Sequence, residues 1–330
     1  MKKLNKKEIL VMGLSGAKQI TKSVCNYLKI TPVPVTVARF ADGEIIVRPE
    51  TSVRYRAITV IQSLTKPVNE SLMELLITID ALKRASADAI NVVIPYYAYA
   101  RQDRKTLGRE PITSKLIASL LERAGASRVA IVDIHSEQTQ GFFDIPMDTL
   151  KATFLTVKEA IKKMNCKNLT VVSPDYGGVK RARHIAATLN VPLAILDKRR
   201  PNPNMAEISN VLGDVKGKDC LISDDMIDTA GTMVAACKVL KEQGAKSITI
   251  AVTHGILSDP ASERLTKAVK SGVVSNIYVT NSIESVYDRK IPNLHIVDLG
   301  KYLSEVVEVY YGHKASISEV YRQYAPKIVK

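Results

Sequence analysis

Short apolar runs alternate with longer amphipathic stretches along most of the chain. Runs of Val, Ile, Leu and Ala bounded by polar residues are typical of strands buried on both faces of a parallel sheet. We predict strands at Ile9–Met12, Ala57–Gln62, Ala89–Ile94, Arg128–Ile134, Leu169–Val172, Leu193–Leu196, Asp219–Ile222, Ser247–Val252 and Asn276–Val279. Between them, apolar residues recur at helical spacing, as in SLMELLITIDALKRA at residues 71–85. This alternation predicts βαβ units and an α/β fold, a mainly parallel twisted sheet flanked by helices.

The strand-helix pattern is repeated before and after about residue 150. A chain of 330 residues is long enough for two domains of common size. The segment DIPMDTL, residues 144–150, lies where the pattern restarts. We therefore predict that it crosses between a domain at 1–150 and a domain at 151–330. Pro111 is predicted to begin a helix that ends at Gly125, since proline suits the first helical position and glycine the C-cap.

Composition excludes several classes of protein and leaves one question open. Hydrophobic residues make up 46% and charged residues 24% of the chain, which is ordinary for a globular protein. No apolar run approaches the roughly 18 residues of a membrane span, and the apolar stretch near the start is too short for a signal peptide. The four cysteines form neither a CxxC pair nor a disulfide framework, so we expect a reduced, cytoplasmic protein. The net charge of +14 fits either nucleic acid or polyanionic small molecules, although Trp is absent and basic runs are short.

Residues 221–233, LISDDMIDTAGTM, combine acids with a small-residue turn. We predict that the strand ends at CLI, that SDD leaves it, and that TAGT begins the next helix. Backbone amides and hydroxyls of Thr229–Thr232 would then suit a phosphate at a helix N-terminus. In the alternative, Asp228 or Thr229 only caps the helix. Asp224 and Asp225 exceed what a cap requires, so the pattern favours a ligand site.

A basic loop follows the strand that ends at Ile94. The sequence IPYYAYARQDRKTLGREPIT concentrates positive charge where a polyphosphate could be bound. The residues concerned are Arg101, Gln102, Arg104 and Lys105. The alternative is a solvated loop with an internal ion pair at Asp103.

Two further strand ends carry possible metal ligands, one in each half of the chain. His135 follows a strand and could bind a metal with Asp133 or Glu137 orienting its ring, although a single His is more often structural. Asp175, in SPDYGG, could hold a cation beside a Gly-Gly turn that admits an anion. A plain turn is the alternative for Asp175.

A cluster of cations follows the strand at Leu193–Leu196. Lys198, Arg199 and Arg200 precede a Pro/Asn-rich stretch, PNPNMAE, which we predict as a loop. Such a loop could close over a site and bring cations to developing negative charge. A flexible exposed turn is the alternative.

Taken together, these segments resemble the ribose-phosphate pyrophosphokinase family, also called phosphoribosyl pyrophosphate synthetases. The matching stretches are RFADGE (39–44), PVNESLMELLITIDALKRASA (67–87), IPYYAYARQDRK (94–105), REPITSKL (109–116), QGFFDIPMD (140–148), SPDYGGVKRAR (173–183), LDKRRP (196–201) and DDMIDTAGTM (224–233). The last is shared in part with phosphoribosyltransferases, whereas ARQDRK together with DKRRP is particular to the synthetases.

The resemblance implies a fold and a reaction. It implies two phosphoribosyltransferase-like domains, with about the last 25 residues packing back on the first domain. It also implies dimers that assemble to a hexamer. The family transfers the β,γ-diphosphate of ATP to the 1-hydroxyl of ribose 5-phosphate, releases AMP and requires Mg²⁺. No nucleic-acid or membrane partner is expected.

The resemblance also implies roles for individual residues. Those expected to contact ATP are Phe40, Asp42, Gly43, Glu44, Arg101, Gln102, Arg104 and Lys105, with the first four serving a neighbouring subunit. His135 and Asp175 would hold Mg²⁺, and Lys198 and Arg200 would be catalytic. Those expected to bind ribose 5-phosphate are Asp224, Asp225, Asp228, Thr229, Ala230, Gly231 and Thr232. In this assignment the 5-phosphate lies on Thr229–Thr232 and the first two acids face the ribose hydroxyls.

The chain departs from the family pattern at three places. Tyr176 replaces the usual His beside Asp175, Thr106–Gly108 replaces an Arg-Ser pair, and GLSGAKQIT near the start replaces a Ser-Gly-Thr-Ser-Asn pattern. The second change lies near residues tied to regulation by phosphate and ADP. Alternatives are a catalytically silent regulatory paralogue, a phosphoribosyltransferase and a nucleic-acid-binding regulator. The presence of both the cation cluster and the metal ligands argues against the first, and ARQDRK and RFADGE argue against the second.

Overall fold

The computed structural model describes residues 8–164, 166–202 and 205–324. Only the backbone is described for residues 166, 198–202 and 205–209. Contacts divide the chain into two compact units. The first comprises the described chain up to Lys151 together with Ser282–Glu284 and Asp298–Gln323. The second comprises Ala152–Asn281, Ser285–Val297 and Tyr324.

The first unit is built on a five-stranded parallel sheet and a separate hairpin. Its strands are β1 (Val11–Gly13), β2 (Val35–Arg39), β3 (Ile45–Pro49), β4 (Ala57–Ile61), β5 (Ala89–Ile94), β6 (Arg128–Val132) and β7 (Met147–Leu150). The parallel sheet has the order β1-β4-β5-β6-β7, and β2 pairs antiparallel with β3. The prediction that residues 144–150 cross between domains is wrong, because Met147–Leu150 pairs with β6 as the edge strand.

Three helices pack on the first unit's elements. They are α1 (Lys18–Leu28), α2 (Val68–Arg84) and α3 (Thr113–Ala124). The predicted apolar stripe of α2 comprises Leu72, Leu75, Leu76, Ile79 and Leu82, and all of them are buried except Leu76, which is half-buried. Gly125 ends α3 at a φ of 125°, as predicted. The prediction for Pro111 is wrong because the backbone is not yet helical at Ile112, with φ −109° and ψ 78°, and α3 begins at Thr113.

The second unit is built on a seven-stranded sheet. Its strands are β8 (Leu169–Ser173), β9 (Leu193–Asn202), β10 (Met205–Leu212), β11 (Asp219–Ile227), β12 (Ser247–Gly255), β13 (Asn276–Thr280) and β14 (Leu294–Val297). Their order is β10-β9-β8-β11-β12-β13-β14, and every pair is parallel except β9 with β10. The helices are α4 (Thr153–Ile161), α5 (Val179–Leu189), α6 (Gly231–Glu242) and α7 (Ala261–Lys270).

Three predicted strand ends in the second unit are wrong, those at Leu196, Ile222 and Val252. The loop predicted after Leu196 is an antiparallel ribbon, in which Asp197 is paired with Asn210 and Leu196 with Val211. Pairing satisfies the backbone groups of both segments, which a loop would leave to solvent. Likewise, β11 does not end at Ile222 but continues through SDD to Ile227, because β12 extends alongside it as far as Gly255.

The chain returns to the first unit after β14. Helix α8 (Gly300–Tyr310) lies against α1, and α9 (Ile317–Tyr324) follows it. The Tyr310 hydroxyl donates to Asp148 Oδ2 at 3.0 Å, and Arg128 Nη1 donates to the same oxygen at 3.0 Å. These bonds join α8 to β6 and β7. Among the described residues, no helix combines the length and apolarity that a membrane crossing needs.

Candidate functional site

In the second unit, the candidate residues follow the carboxyl ends of two adjacent strands. Strands β8 and β11 pair in parallel, so Asp175, two residues after β8, and Asp224, near the end of β11, lie at the same edge. Ligands of doubly wound sheets bind outside this edge. The topology therefore brings the SPDYGG and DDMIDTAGT segments to the same edge of the sheet.

Asp224 and Asp225 form a bonded cluster with Arg181, a residue of α5. Arg181 Nη1 lies 2.8 Å from Asp224 Oδ1 and 3.5 Å from Asp225 Oδ1. The backbone N–H of Asp225 also donates to Asp224 Oδ1, at 2.9 Å. The two side chains differ in exposure, which is 23% for Asp224 and 5% for Asp225. Burial, and then the neighbouring Asp225 carboxylate, raise the pKa of Asp224 despite the ion pair with Arg181.

The turn between β11 and α6 has the geometry of an anion cradle. Helix α6 begins at Gly231, and the residue before it, Ala230, has a left-handed backbone with φ 61°. Ala230 has no polar side chain to cap the helix, so the simple capping alternative loses its support. Thr229 and Thr232 on either side are exposed. The first N–H groups of a helix have no intrahelical acceptor, and they attract anions.

Asp175 is held by its own turn. Its Oδ1 accepts the backbone N–H of Gly178 at 3.0 Å, and the Ser173 hydroxyl donates to the Asp175 carbonyl at 2.7 Å. The turn that we considered as an alternative is thus present, yet it uses only one of the two carboxylate oxygens. Tyr176, where the family usually has His, is 58% exposed beside this carboxylate.

In the first unit, the basic loop is largely buried up to Ala100, fastened at its base, and mostly exposed from Arg101 to Ile112. Thr113 Oγ1 donates to Gln102 Oε1 at 2.6 Å, and the N–H of Ser114 donates to the Gln102 carbonyl at 3.1 Å. The Tyr97 hydroxyl, which is buried, donates to the Ser114 carbonyl at 2.9 Å. These bonds tie the end of β5 to the start of α3. The residues that the loop exposes are Arg101, Gln102, Arg104 and Lys105.

The segment that departs from the family pattern folds around Glu110. Glu110 Oε2 accepts the N–H of Thr106 at 2.7 Å, the N–H of Leu107 at 2.9 Å and the Thr106 hydroxyl at 2.8 Å. These donors, the Leu107 amide first, lower the pKa of Glu110. Thr106–Gly108 is therefore a tight turn with its own carboxylate acceptor.

His135 is exposed just after β6, the neighbour of β5 in the parallel sheet. The basic loop and His135 thus leave the same edge of the first unit's sheet. Of the two acids predicted to orient His135, Asp133 is buried and Glu137 forms an ion pair with Lys151 at 2.5 Å. Within the described residues, no group of three or more His, Cys, Asp or Glu side chains is arranged to hold a metal ion.

The RFADGE segment forms the tip of the β2–β3 hairpin. Gly43 has a φ of 95°, a conformation that favours glycine, and Asp42 Oδ1 accepts the N–H of Glu44 at 3.1 Å. Phe40 is 54% exposed at this tip. Arg39 forms an ion pair with Glu70 in the first turn of α2, which anchors the hairpin to the helix. Two predicted contacts of ATP, Phe40 and Asp42, are thus presented on an anchored turn.

The side chains of Lys198 and Arg200 lie outside the described part of the structure. Their backbone belongs to β9, in the ribbon that β9 forms with β10. Sequence reasoning missed Arg181 as a site residue. The signal was present in the basic helix start VKRAR, but its partner Asp224 is 43 residues away in the chain.

The geometry defines a class of protein. Parallel sheets with acids and a small-residue helix start at the carboxyl edge make an α/β protein with an anion-binding site at the edge of its sheet. The comparisons with known proteins agree and are more specific. A family described as the N-terminal domain of ribose phosphate pyrophosphokinase matches residues 9–125, and one described as the phosphoribosyl transferase domain matches residues 148–288.

Similar proteins cover nearly the whole chain. It is 50% identical over 321 residues to the ribose-phosphate pyrophosphokinase of Mycoplasma pneumoniae, covering 97% of this chain and 98% of that protein. Identity to the ribose-phosphate pyrophosphokinase of Bacillus subtilis is 45% over 301 residues, or 91% and 93% of the two chains. The crystal structure of phosphoribosylpyrophosphate synthetase from Mycobacterium smegmatis is similar, with a TM-score of 0.85 and 39% sequence identity. The match covers 93% of this chain and 99% of that chain. The chain therefore belongs to the ribose-phosphate pyrophosphokinase family.

Proposed function

We propose that this enzyme transfers the β,γ-diphosphate of ATP to the 1-hydroxyl of ribose 5-phosphate. The products are 5-phosphoribosyl 1-pyrophosphate and AMP. The observation that carries the proposal is the second unit's edge, where the Asp224 cluster adjoins the left-handed turn at Ala230 in a chain of this family. A sugar phosphate needs both acceptors for hydroxyls and donors for an anion, and this edge supplies both.

Ribose 5-phosphate is assigned to this edge, with its phosphate and its ribose hydroxyls bound by different residues. The 5-phosphate lies on the amides and hydroxyls of Thr229–Thr232, where the helix N-terminus stabilises negative charge. Asp224, which is partly exposed, accepts hydrogen bonds from the ribose hydroxyls. Asp225, which is buried, has a different role: it is the inner carboxylate that helps to fix Arg181 and hence Asp224. Asp228 opens the phosphate turn.

ATP is assigned to the exposed loop and hairpin of the first unit. Arg101, Gln102, Arg104 and Lys105 bind its phosphates, because guanidinium and ammonium groups match phosphate oxygens in charge and geometry. A second set of residues at the hairpin tip contacts the adenine. The hairpin set is Phe40, Asp42, Gly43 and Glu44. We assign this set to the nucleotide of a neighbouring subunit in a homo-oligomer of dimers that assemble to a hexamer.

The residues present fit Mg²⁺ as the metal. This ion keeps several waters and is typically bound through one or two carboxylates plus substrate phosphates, so a large protein cluster is not required. Asp175 has one carboxylate oxygen bonded to Gly178 and therefore a fixed orientation. We propose His135 in the first unit and Asp175 in the second, each considered within its own unit, as ligands that would hold Mg²⁺. When bound, it would neutralise charge on the transferring phosphates.

The chemical step is an attack on phosphorus. The C1 hydroxyl oxygen forms a bond to the β-phosphorus, the bond from that phosphorus to the oxygen shared with the α-phosphate breaks, and AMP leaves as the hydroxyl proton is lost. Charge accumulates on phosphoryl oxygens, so cations and positioning dominate catalysis. Lys198 and Arg200 are the residues proposed to supply that positive charge. The product and the reaction belong to nucleotide biosynthesis, in the cytoplasm.

The test is AMP release from ATP in the presence of Mg²⁺, with and without ribose 5-phosphate. We expect AMP to form only when the sugar phosphate is present, in an amount equal to the sugar consumed. AMP formation that ignores the sugar, or none with it, would exclude the proposed function. Omitting Mg²⁺ from the complete mixture is the matched control and should abolish the reaction.

A further inference from the structure

Arg264 of helix α7 is bonded to the turn that precedes α6. Its Nη1 donates to the carbonyl oxygen of Thr229 at 3.0 Å, across 35 residues of sequence. The same nitrogen lies 3.1 Å from the position that a Cβ at Gly231 would occupy. A side chain at residue 231 would therefore crowd the guanidinium. Because Gly231 has no side chain, Arg264 can reach the turn.

The turn requires such support because of its backbone. Ala230 has φ 61° and ψ 2°, a region that residues other than glycine rarely populate. Conformations of this kind persist where the surroundings fix them. The N–H groups of Ile256 and Leu257 hold the carbonyl of Ile227 at 2.9 and 3.1 Å, before the turn. Two residues further along the chain, the carbonyl of Thr229 is held by the hydrogen bond from Arg264.

Arg264 also brings positive charge to the helix start. A guanidinium carries five N–H donors, and the bond to Thr229 uses one of them. Its neighbour along the helix, Glu263, is paired with Lys267 at 2.5 Å and interacts more weakly with Arg264. The guanidinium thus adds cationic charge beside Gly231, the first residue of α6, where the helix dipole already favours an anion.

We propose that Arg264 is a positioning residue for the phosphate end of ribose 5-phosphate. It fixes the Thr229–Gly231 turn in the conformation that presents the α6 amides, and its charge favours a phosphorylated sugar over free ribose. This inference rests on the proposed function, which assigns the sugar phosphate to the turn. Arg264 is on a different helix from the turn and is not one of the residues carried over from the family resemblance.

Three substitutions separate the two contributions. Arg264→Gln keeps an N–H donor for Thr229 and removes the charge, Arg264→Met removes both, and Arg264→Lys keeps the charge. Lys267→Gln is the matched control, since it removes one positive charge from the same helix at a residue that pairs with Glu263 instead. For each variant, KM for ribose 5-phosphate, KM for ATP and kcat are measured, together with the thermal melting temperature.

We expect Arg264→Met to raise KM for ribose 5-phosphate by about tenfold, the size of one charge-assisted hydrogen bond near a surface. Arg264→Gln should raise it by less, and Arg264→Lys should restore most of the wild-type value. KM for ATP and kcat at saturating sugar phosphate should stay within about twofold. Lys267→Gln should behave as wild type in all three constants.

Several results would contradict the proposed role of Arg264. An unchanged KM for ribose 5-phosphate in Arg264→Met would overturn the proposal, as would an equal rise in Lys267→Gln. A fall in kcat with KM unchanged would assign Arg264 a structural role. If Arg264→Met does not fold, the Gln and Lys variants decide the question. Titration calorimetry of ribose 5-phosphate, without ATP, separates this proposal from the reaction: binding lost in the variant but present in wild type supports Arg264 even if no AMP forms.

Discussion

The carboxyl edges of the two sheets carry binding residues of different character. In the first unit, Arg104 and Lys105 are exposed on a loop that is fastened at its base through Gln102 and, beyond them, by the Glu110 turn. In the second unit, Asp224 and Arg181 are bonded to each other beside a turn whose carbonyls are held by other elements. One edge offers exposed charge, and the other offers side chains and a turn that are fixed by hydrogen bonds.

This difference matches the proposed ligands. A polyphosphate is long, flexible and highly charged, and exposed cations attract it over a distance that salt shortens. A sugar phosphate is small, and a preorganised site binds it without paying for ordering. Substitutions in the second unit should therefore act through geometry and resist salt. Those in the first unit should act through charge and weaken as salt is added.

The largest effect is expected from Lys198 and Arg200 of β9, the strand that runs parallel to β8 and extends past its carboxyl end. Lys198→Ala should lower kcat by about 100- to 1000-fold, because a donor to developing charge contributes on the order of 3 kcal/mol to the barrier. Both Michaelis constants should change far less. Lys270→Ala, an exposed lysine on α7, is the control. Unchanged kcat in Lys198→Ala would remove this residue from the mechanism.

Next in size is the acid of the second unit. Asp224→Asn should lower kcat/KM for ribose 5-phosphate by about 100-fold, because it removes an acceptor for the sugar and a partner of Arg181. KM for ATP should be nearly unchanged. Asp259→Asn, an exposed acid of the same unit, should have no effect. If Asp224→Asn raised KM for ATP equally, the division of substrates between the two edges would be wrong.

The ionisation of Asp224 should make KM for ribose 5-phosphate, and not KM for ATP, depend on pH. The pKa of Asp224 is raised, so part of the population is protonated near neutral pH, and the ionised form that accepts from the sugar increases as pH rises. KM for ribose 5-phosphate should therefore fall with rising pH, by up to about tenfold per unit below that pKa. The sugar phosphate itself titrates near pH 6. Asp224→Asn controls for this, since it should keep only the ligand's own dependence.

The smallest effects are expected in the basic loop. Arg104→Gln and Lys105→Gln should each raise KM for ATP by about threefold at low salt, because exposed charges are well screened. The increase should shrink as ionic strength rises, while KM for ribose 5-phosphate stays constant. Measuring both constants at two salt concentrations checks this. A loss that is independent of salt would mean that these side chains act by shape.

Much of the fold was predictable because its central strands are buried on both faces. Ala89–Ile94 and Arg128–Val132 are apolar apart from Asn91 and Arg128, and the structure places them side by side in the first sheet. The hairpin strands Val35–Arg39 and Ile45–Pro49 were missed because most of their side chains are exposed, so the apolar signal is weak. The ribbon beyond Leu196 was missed since its Pro/Asn composition is typical of a loop.

The site was predictable only in part, for a different reason. Acids and small residues within DDMIDTAGT are adjacent in sequence, so their chemistry could be inferred before the fold was known. Arg181 and Arg264 are separated by 43 and 35 residues from the groups that they contact. Each lies on a helix that the sheet topology brings to the edge. No local sequence pattern specifies a contact between residues so far apart in the chain. Such a contact follows only from the three-dimensional fold.

The most direct test of the central claim is to identify the reaction product. The reaction of ATP with ribose 5-phosphate and Mg²⁺ is monitored by ³¹P NMR. We expect one AMP and one sugar carrying a diphosphate at C1 for each ATP consumed, with the 5-phosphate signal retained. The formation of ADP with a singly phosphorylated C1 would show transfer of the γ-phosphate instead. That result, or the absence of any sugar-dependent product, would contradict the account.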